Sequence, residues 1–227
     1  MSLPSASHAL VLALVERAWA LEGHSVAELS RALGEAELPA GVHTKGKLGE
    51  LVERALGAHG GPGATVDFPS LGVELKTIPV DRALRPREST FVCAFRVEEA
   101  DRAEWQRSWV REKLQRVLFV PVIGARAGAS ATERRFGRAL LWSPTPAQDR
   151  ALAHDFDDIV GLVGAGRIEE LDARLGRYLQ MRPKARDGSA RTVAYGDDGE
   201  RLGTVPRGFY LRASFTGALL RDPAALP

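Results

Sequence analysis

Apolar residues recur at helical spacing through the first quarter of the chain and then give way to strand-like runs. Ala9 to Leu21 is apolar but interrupted by Glu16 and Arg17, which predicts an amphipathic helix over about 8–22. A second helix, over about 26–33, opens on Ser25-Val26-Ala27-Glu28, a capping-box pattern, and ends near Gly34. Leu48, Leu51, Val52, Ala55 and Leu56 form the apolar stripe of a third, over about 45–56, which stops at Gly57. His59-Gly60-Gly61-Pro62-Gly63 cannot be regular structure. β-type runs follow at about 71–78 and 88–97, joined by a turn containing Asp81, Arg82 and Pro86. After a short helix near 105–115, Val117 to Val122 reads as a central strand and Arg138 to Trp142 as another. Leu152, Phe156, Ile159 and Val163 mark a helix over about 146–164 with one buried face, and the remaining C-terminal part alternates short strands with polar loops. A mixed sheet flanked by a few helices is expected, of α/β or α+β class, in a single domain over residues 1–227 that can divide into two lobes.

Composition narrows this without changing it. Hydrophobic residues at 44% and charged residues at 26% are ordinary for a globular protein, which excludes a disordered or fibrous chain. No run approaches a membrane span, and the N-terminal apolar stretch lacks the basic flank of a signal sequence. The single cysteine, Cys93, cannot form an internal disulfide and suits a reducing cytoplasm; within Thr90-Phe91-Val92-Cys93-Ala94-Phe95 it is expected to be a buried thiol. A net charge of +2 does not by itself imply a nucleic-acid partner. From Arg174 to Arg212, however, nine basic residues stand against four acidic ones, a local excess suited to a phosphate backbone. His8, His24, His43, His59 and His154 show no metal-ligand spacing, although His59, in the glycine-rich loop, can approach DNA.

The chemistry concentrates in Asp67-Phe68-Pro69-Ser70-Leu71-Gly72-Val73-Glu74-Leu75-Lys76. On a strand, Val73 and Leu75 face the core while Glu74 and Lys76 share the other face, their Cα atoms roughly 6.6 Å apart. An antiparallel return from Asp67 brings a second carboxylate to the same point. Two carboxylates with open positions suit Mg²⁺, and an adjacent lysine can orient the attacking water. Glu-x-Lys alone is ordinarily a solvated face. Glu53 sits at the edge of the third helix's stripe, on the side shared with Gly46 and Gly49, where it is either half sheltered or, like Glu50 and Arg54, exposed.

Asp67, Glu74 and Lys76 follow the Asp-(x)n-Glu-x-Lys signature of the restriction-endonuclease-like superfamily. The wider pattern resembles the MutH family, the strand-incising endonucleases of methyl-directed mismatch repair. That pattern is Lys45-Gly46-x-x-Gly49-x-x-x-Glu53, Asp67, and Leu71-Gly72-Val73-Glu74-Leu75-Lys76-Thr77-Ile78-Pro79-Val80. It continues through Thr90-Phe91-Val92-Cys93, Lys113-Leu114-x-Arg116-Val117-Leu118, Leu140 to Pro144, Tyr178 to Lys184 and Pro206 to Leu211. The chain departs from the family at Lys47, where an aromatic residue is common, and through Glu98–Arg107 and Asp187–Leu202.

The resemblance implies a Mg²⁺-dependent endonuclease that nicks the unmethylated strand at hemimethylated GATC sites and is activated by the ATPase MutL. It implies that Asp67 and Glu74 are metal ligands with the Leu75 carbonyl nearby, that Glu53 completes the acidic site, and that Lys76 is the catalytic lysine. Lys113 would act through a phosphate and Lys45 would lie near DNA. Arg182 and Tyr210 would read the target and sense adenine methylation, with Phe91, Lys184 and Arg207 among the DNA-binding residues. A cytoplasmic monomer acting on double-stranded DNA is expected. GATC-specific restriction enzymes share the core and remain an alternative, although the length of the chain favours the repair branch. A DNA-binding module with a vestigial site is a third possibility, against which the intact Asp67, Glu74 and Lys76 argue.

Overall fold

The computed structural model describes residues 6–35, 44–59, 65–124, 131–172, 174–184 and 191–223. In chain order the elements are α1 (Ala6–Trp19), α2 (Val26–Ala32), α3 (Thr44–Leu56), β1 (Glu74–Val80), β2 (Thr90–Phe95), α4 (Trp109–Leu114), β3 (Val117–Ile123), β4 (Arg135–Phe136), β5 (Leu140–Trp142), α5 (Pro146–Gly164), β6 (Leu179–Pro183), β7 (Thr192–Tyr195), β8 (Arg201–Thr204), β9 (Arg207–Leu211) and α6 (Ala213–Arg221). They fall into two compact units. The first comprises Met1–Arg87, Gln115–Ser143 and Gly217–Pro223, and the second Glu88–Leu114, Pro144–Thr216 and Ala224–Pro227. The mixed α/β class expected from the sequence is what is found.

In the first unit β3 is the central strand. It runs parallel to β1, from Glu74 opposite Val117 to Val80 opposite Ile123, and antiparallel to β5 and β4. All of β3 from Val117 to Val122 is buried, as expected of a strand covered on both faces. The predicted stripe of α3 is buried too: Leu48, Leu51, Val52 and Leu56 join Leu14, Val26, Val73, Leu75, Leu118 and Val120 in one core. Each such side chain contributes about 1.5–3 kcal/mol on burial. The capping box of α2 forms as predicted, with the Ser25 hydroxyl accepting from the Glu28 N–H and the Glu28 carboxylate accepting from the Ser25 N–H.

In the second unit β9 lies between β2 and β6, antiparallel to both. α5 spans the predicted 146–164, capped by Thr145 and Gln148, and buries Leu152, Phe156, Ile159 and Val163. Phe156 stacks on Phe209 of β9, and Phe95 of β2 meets both rings edge-on. Buried Asp155 accepts the backbone N–H groups of Arg177, Tyr178 and Leu179, which fixes the start of β6. Cys93 is buried, as expected.

Four details differ from the sequence reading. β1 begins at Glu74 rather than near 71, because Pro69–Leu71 forms a 3-10 turn and Gly72 takes the left-handed conformation that glycine tolerates best. The expected helix near 105–115 splits into a 3-10 turn at Trp105–Arg107 and α4. The expected strand from Arg138 is shorter, confined to β5 and preceded by the separate β4. The C-terminal part holds a helix, α6, where strands and loops were expected; Phe215 and Leu219 bury its i, i+4 face. Among the described residues no helix is long and apolar enough to cross a membrane.

Candidate active site

The chain returns on itself between Asp67 and Glu74. Phe68 and Val73 pair across the turn, and the Asp67 backbone carbonyl accepts the His59 N–H, which ties this segment to the exit of α3. β1 is an edge strand of its sheet. The Glu74 N–H is spent on the Arg116 carbonyl, towards β3, so the Leu75 N–H and C=O point to the open edge. There the Asp67 carboxylate accepts the Leu75 N–H at 2.7 Å. The two acidic residues are thus joined through the backbone between them.

Glu74 is not on a solvated face. Its side chain is only 2% exposed, and Lys76, 20% exposed, donates to its Oε1 at 2.6 Å. A buried carboxylate is costly unless a partner compensates it, and the lysine two residues along the same strand face is that partner. Glu53, half-buried on α3, stands close enough to share the field of this cluster. Burial pushes its carboxyl above the usual carboxylate range, the negative charges of Asp67, Glu50 and Glu74 push it further, and Lys76 opposes them. Gly49 lies one turn before Glu53. A Cβ there would come within 3.8 Å of Glu53 Oε1 and 3.9 Å of Thr77 Oγ1, an ordinary contact, so alanine fits and a longer side chain intrudes on Glu53. Gly46 faces open space and leaves no such close approach. Glu50 and Arg54 are exposed, as expected.

One Glu74 oxygen is turned to Lys76, and one Asp67 oxygen to the Leu75 amide. Among the described residues no group of three or more acidic, histidine or cysteine side chains converges as a ready-made ion cage.

The second unit carries a separate basic and aromatic face. Phe91, Tyr210 and Gln180 lie opposite one another across β2, β9 and β6, and Arg182 lies opposite Gly208. The Phe91 and Tyr210 rings meet edge to face at 5.2 Å. The Lys184 ammonium sits 4.2 Å over Phe91, and the Arg182 guanidinium lies 5.9 Å from the Tyr210 ring. Burial raises the Tyr210 hydroxyl pKa, and nearby Arg182 counters that. Arg207 points to the other face of β9 with Phe209 and Leu211, where burial lowers its pKa. The structure therefore groups Phe91, Arg182, Lys184 and Tyr210 and leaves Arg207 apart. Lys113 is buried near the end of α4 in this unit. Lys45 lies in the first turn of α3 with its side chain outside the described residues, as are His43 and the loop from Gly60 to Gly63.

Two supports of this face were missed in the sequence. Ser89, buried, accepts a hydrogen bond from Arg182 at 2.7 Å; no sequence signal marks it. Gly208 is required, because a Cβ there would lie 2.7 Å from the Cys93 carbonyl and 2.9 Å from the Phe91 ring. A lone glycine inside the strand run Arg207 to Leu211 is the signal that could have found it.

The MutH family profile, described as DNA mismatch repair enzyme MutH, matches residues 56–155. A DNA mismatch repair protein MutH from Shigella flexneri serotype 5b (strain 8401) is 46% identical over 208 residues, covering 91% of this chain and 90% of that protein. That of Escherichia coli (strain K12) is 45% identical over 207 residues, with the same coverage. The chain belongs to the MutH family. It is accordingly an enzyme, a DNA mismatch-repair endonuclease, and membership in the MutH family carries DNA binding with it. Nucleases of the restriction-endonuclease-like type, to which MutH belongs, are usually metal-dependent.

The raised pKa of Glu53 has a consequence for stability. A carboxyl elevated in the folded state contributes most below the ordinary carboxylate range, and its contribution is lost as pH rises through the elevated value. Glu53→Gln is therefore expected to raise the melting temperature at neutral pH and to have little effect at a pH below the ordinary carboxylate range. Thermal melts of both proteins at the two pH values check this; an equal gain at both would contradict it.

Proposed function

We propose that the acidic cluster of the first unit carries Mg²⁺-dependent hydrolysis of one phosphodiester bond beside GATC on an unmethylated strand, and that MutL activates it. The observation that carries this reading is the buried Glu74 beside Lys76, with Asp67 bound to the amide between them, in a chain of the MutH family. The residues fit a hard dication: the donor set is all oxygen, and Glu53, raised first by burial and then by the negative charges of Asp67, Glu50 and Glu74, stands in a crowding of charge that a dication would relieve. Asp67 and Glu74 would hold the ion, with the Leu75 carbonyl on the same open edge and Glu53 completing the site. Bound there, magnesium supplies a more acidic water and neutralises charge developing on the phosphate.

The side chains of the chain do the rest. Lys76 orients the attacking water and balances Glu74 while that water loses a proton to solvent and its oxygen bonds to phosphorus; the opposite P–O ester bond breaks and the leaving sugar oxygen takes up a proton. Lys113 and Lys45 serve the phosphate backbone. Phe91, Arg182, Lys184 and Tyr210 form the reading face. The guanidinium of Arg182, held by Ser89, is suited to a guanine edge. Tyr210, braced by Phe91, presses an aromatic hydroxyl towards adenine, where an added N6-methyl would disturb it.

A lost base contact of this kind is worth about 1–3 kcal/mol, about fivefold to 150-fold in rate. Tyr210→Ser should therefore narrow the rate ratio between unmethylated and hemimethylated GATC duplexes and leave metal dependence intact. If Tyr210 served only packing, all rates would fall together and the ratio would hold. Single-turnover nicking of matched duplexes separates the two.

A further inference from the structure

The turn that joins Asp67 to Glu74 is gripped from outside at two points by one residue. Arg116, immediately before β3, accepts the Glu74 N–H at its backbone carbonyl, 2.9 Å, and its guanidinium donates to the Leu71 carbonyl at 3.1 Å. Of the turn's other described hydrogen bonds, one runs from the His59 N–H to the Asp67 carbonyl, at the exit of α3, and the rest close on the turn itself: Phe68 with Val73 in both directions, the Leu71 N–H to Phe68, and the Gly72 N–H to Pro69. Those bonds set the shape of the turn, but not its placement against the sheet. Arg116 does so at two points, with its side chain at Leu71 in the middle of the segment and with its backbone at Glu74 where β1 begins.

We propose that Arg116 is a positioning residue for the acidic site, clamping the turn to the start of β3 and so setting where the Asp67 carboxylate stands relative to Glu74. The link is short. The Asp67 carboxylate reaches the Leu75 N–H, one residue past the Glu74 amide that Arg116 holds. A planar guanidinium offers several donors in a fixed fork, whereas lysine presents a compact ammonium on a flexible stem, so lysine does not reproduce the grip on a single carbonyl. This inference rests on the reading of Asp67 and Glu74 as metal ligands.

The test uses the full chain without DNA, with Mn²⁺ as the probe, its binding followed by electron paramagnetic resonance. Arg116→Met, which keeps the stem and removes the donors, and Arg116→Lys, which keeps the charge and protects the fold, are compared with wild type. Both are expected to bind Mn²⁺ about tenfold more weakly, the size seen for outer-shell partners of metal ligands. Hydrogen exchange at the Leu75 amide should speed up in both. Unchanged Mn²⁺ affinity with unchanged Leu75 exchange, even beside a lowered melting temperature, overturns the proposal and leaves Arg116 an ordinary structural residue. If Asp67→Ala binds Mn²⁺ as tightly as wild type, the metal-site reading itself fails. The Leu75 exchange rate needs no metal and then decides the clamp alone.

Discussion

Alanine at Asp67 or at Glu74 is expected to lower nicking by more than about a hundredfold, beyond the usual loss for an outer-shell partner, while DNA retention in gels survives. The two variants should differ in stability. Asp67→Ala strips the Leu75 N–H of a charge-assisted bond, 2.7 Å long, of a kind worth about 1.5–3 kcal/mol, and should melt earlier. Glu74→Ala removes a carboxylate with 2% exposure, whose desolvation offsets much of what its pairing contributes, and lets the partly exposed Lys76 turn to solvent. Its melting temperature should fall less. Nicking, gel retardation and melting measured on the same preparations check all three expectations. Substantial cleavage in Mg²⁺ by either variant would remove that residue from the site.

Lys76→Ala is expected to be nearly as damaging, and Lys76→Arg is not expected to rescue it. The ammonium fits against Glu74 Oε1 at 2.6 Å with only a fifth of the side chain exposed. A guanidinium is broader, demands in-plane partners and cannot deliver a point charge to both a water and a carboxylate in the same space. Positioned acid–base groups contribute about 10²–10⁴-fold, so both variants should lose activity on that scale under single-turnover conditions. Near-normal turnover by Lys76→Arg would show that charge alone matters at this position.

Much of this site was legible in the sequence, because its signals are local. Pro69 and Gly72 punctuate the stretch between Asp67 and Glu74, and the return they impose is what brings Asp67 to Leu75. The apolar stripe of α3 placed Glu53 at its edge, where the structure has it, half-buried. α5 was legible end to end because its 3.6-residue apolar period is long; the capping box of Thr145 and Gln148 at its start emerged only in the structure.

What was not legible depends on distant partners. Alternation along β1 put Glu74 opposite the core residues; nothing local said that its own face would also be covered. β1 and β2 follow one another across a turn, yet β1 pairs with β3, some forty residues on, and β2 pairs with β9, more than a hundred residues away. Arg207 was grouped with Tyr210 by charge and motif, and strand alternation separates them. The grip of Arg116 on the Leu71 carbonyl joins residues 45 apart in sequence, which no motif spacing encodes.

Single-strand incision is tested most directly by the product formed from supercoiled plasmid carrying GATC sites, incubated with the chain in Mg²⁺ with and without MutL and resolved on one gel. Open circles cut in a single strand at GATC, forming faster with MutL and absent when Mg²⁺ is chelated, are the predicted result. Linear plasmid cut in both strands without MutL, or plasmid left intact under every condition, would contradict it.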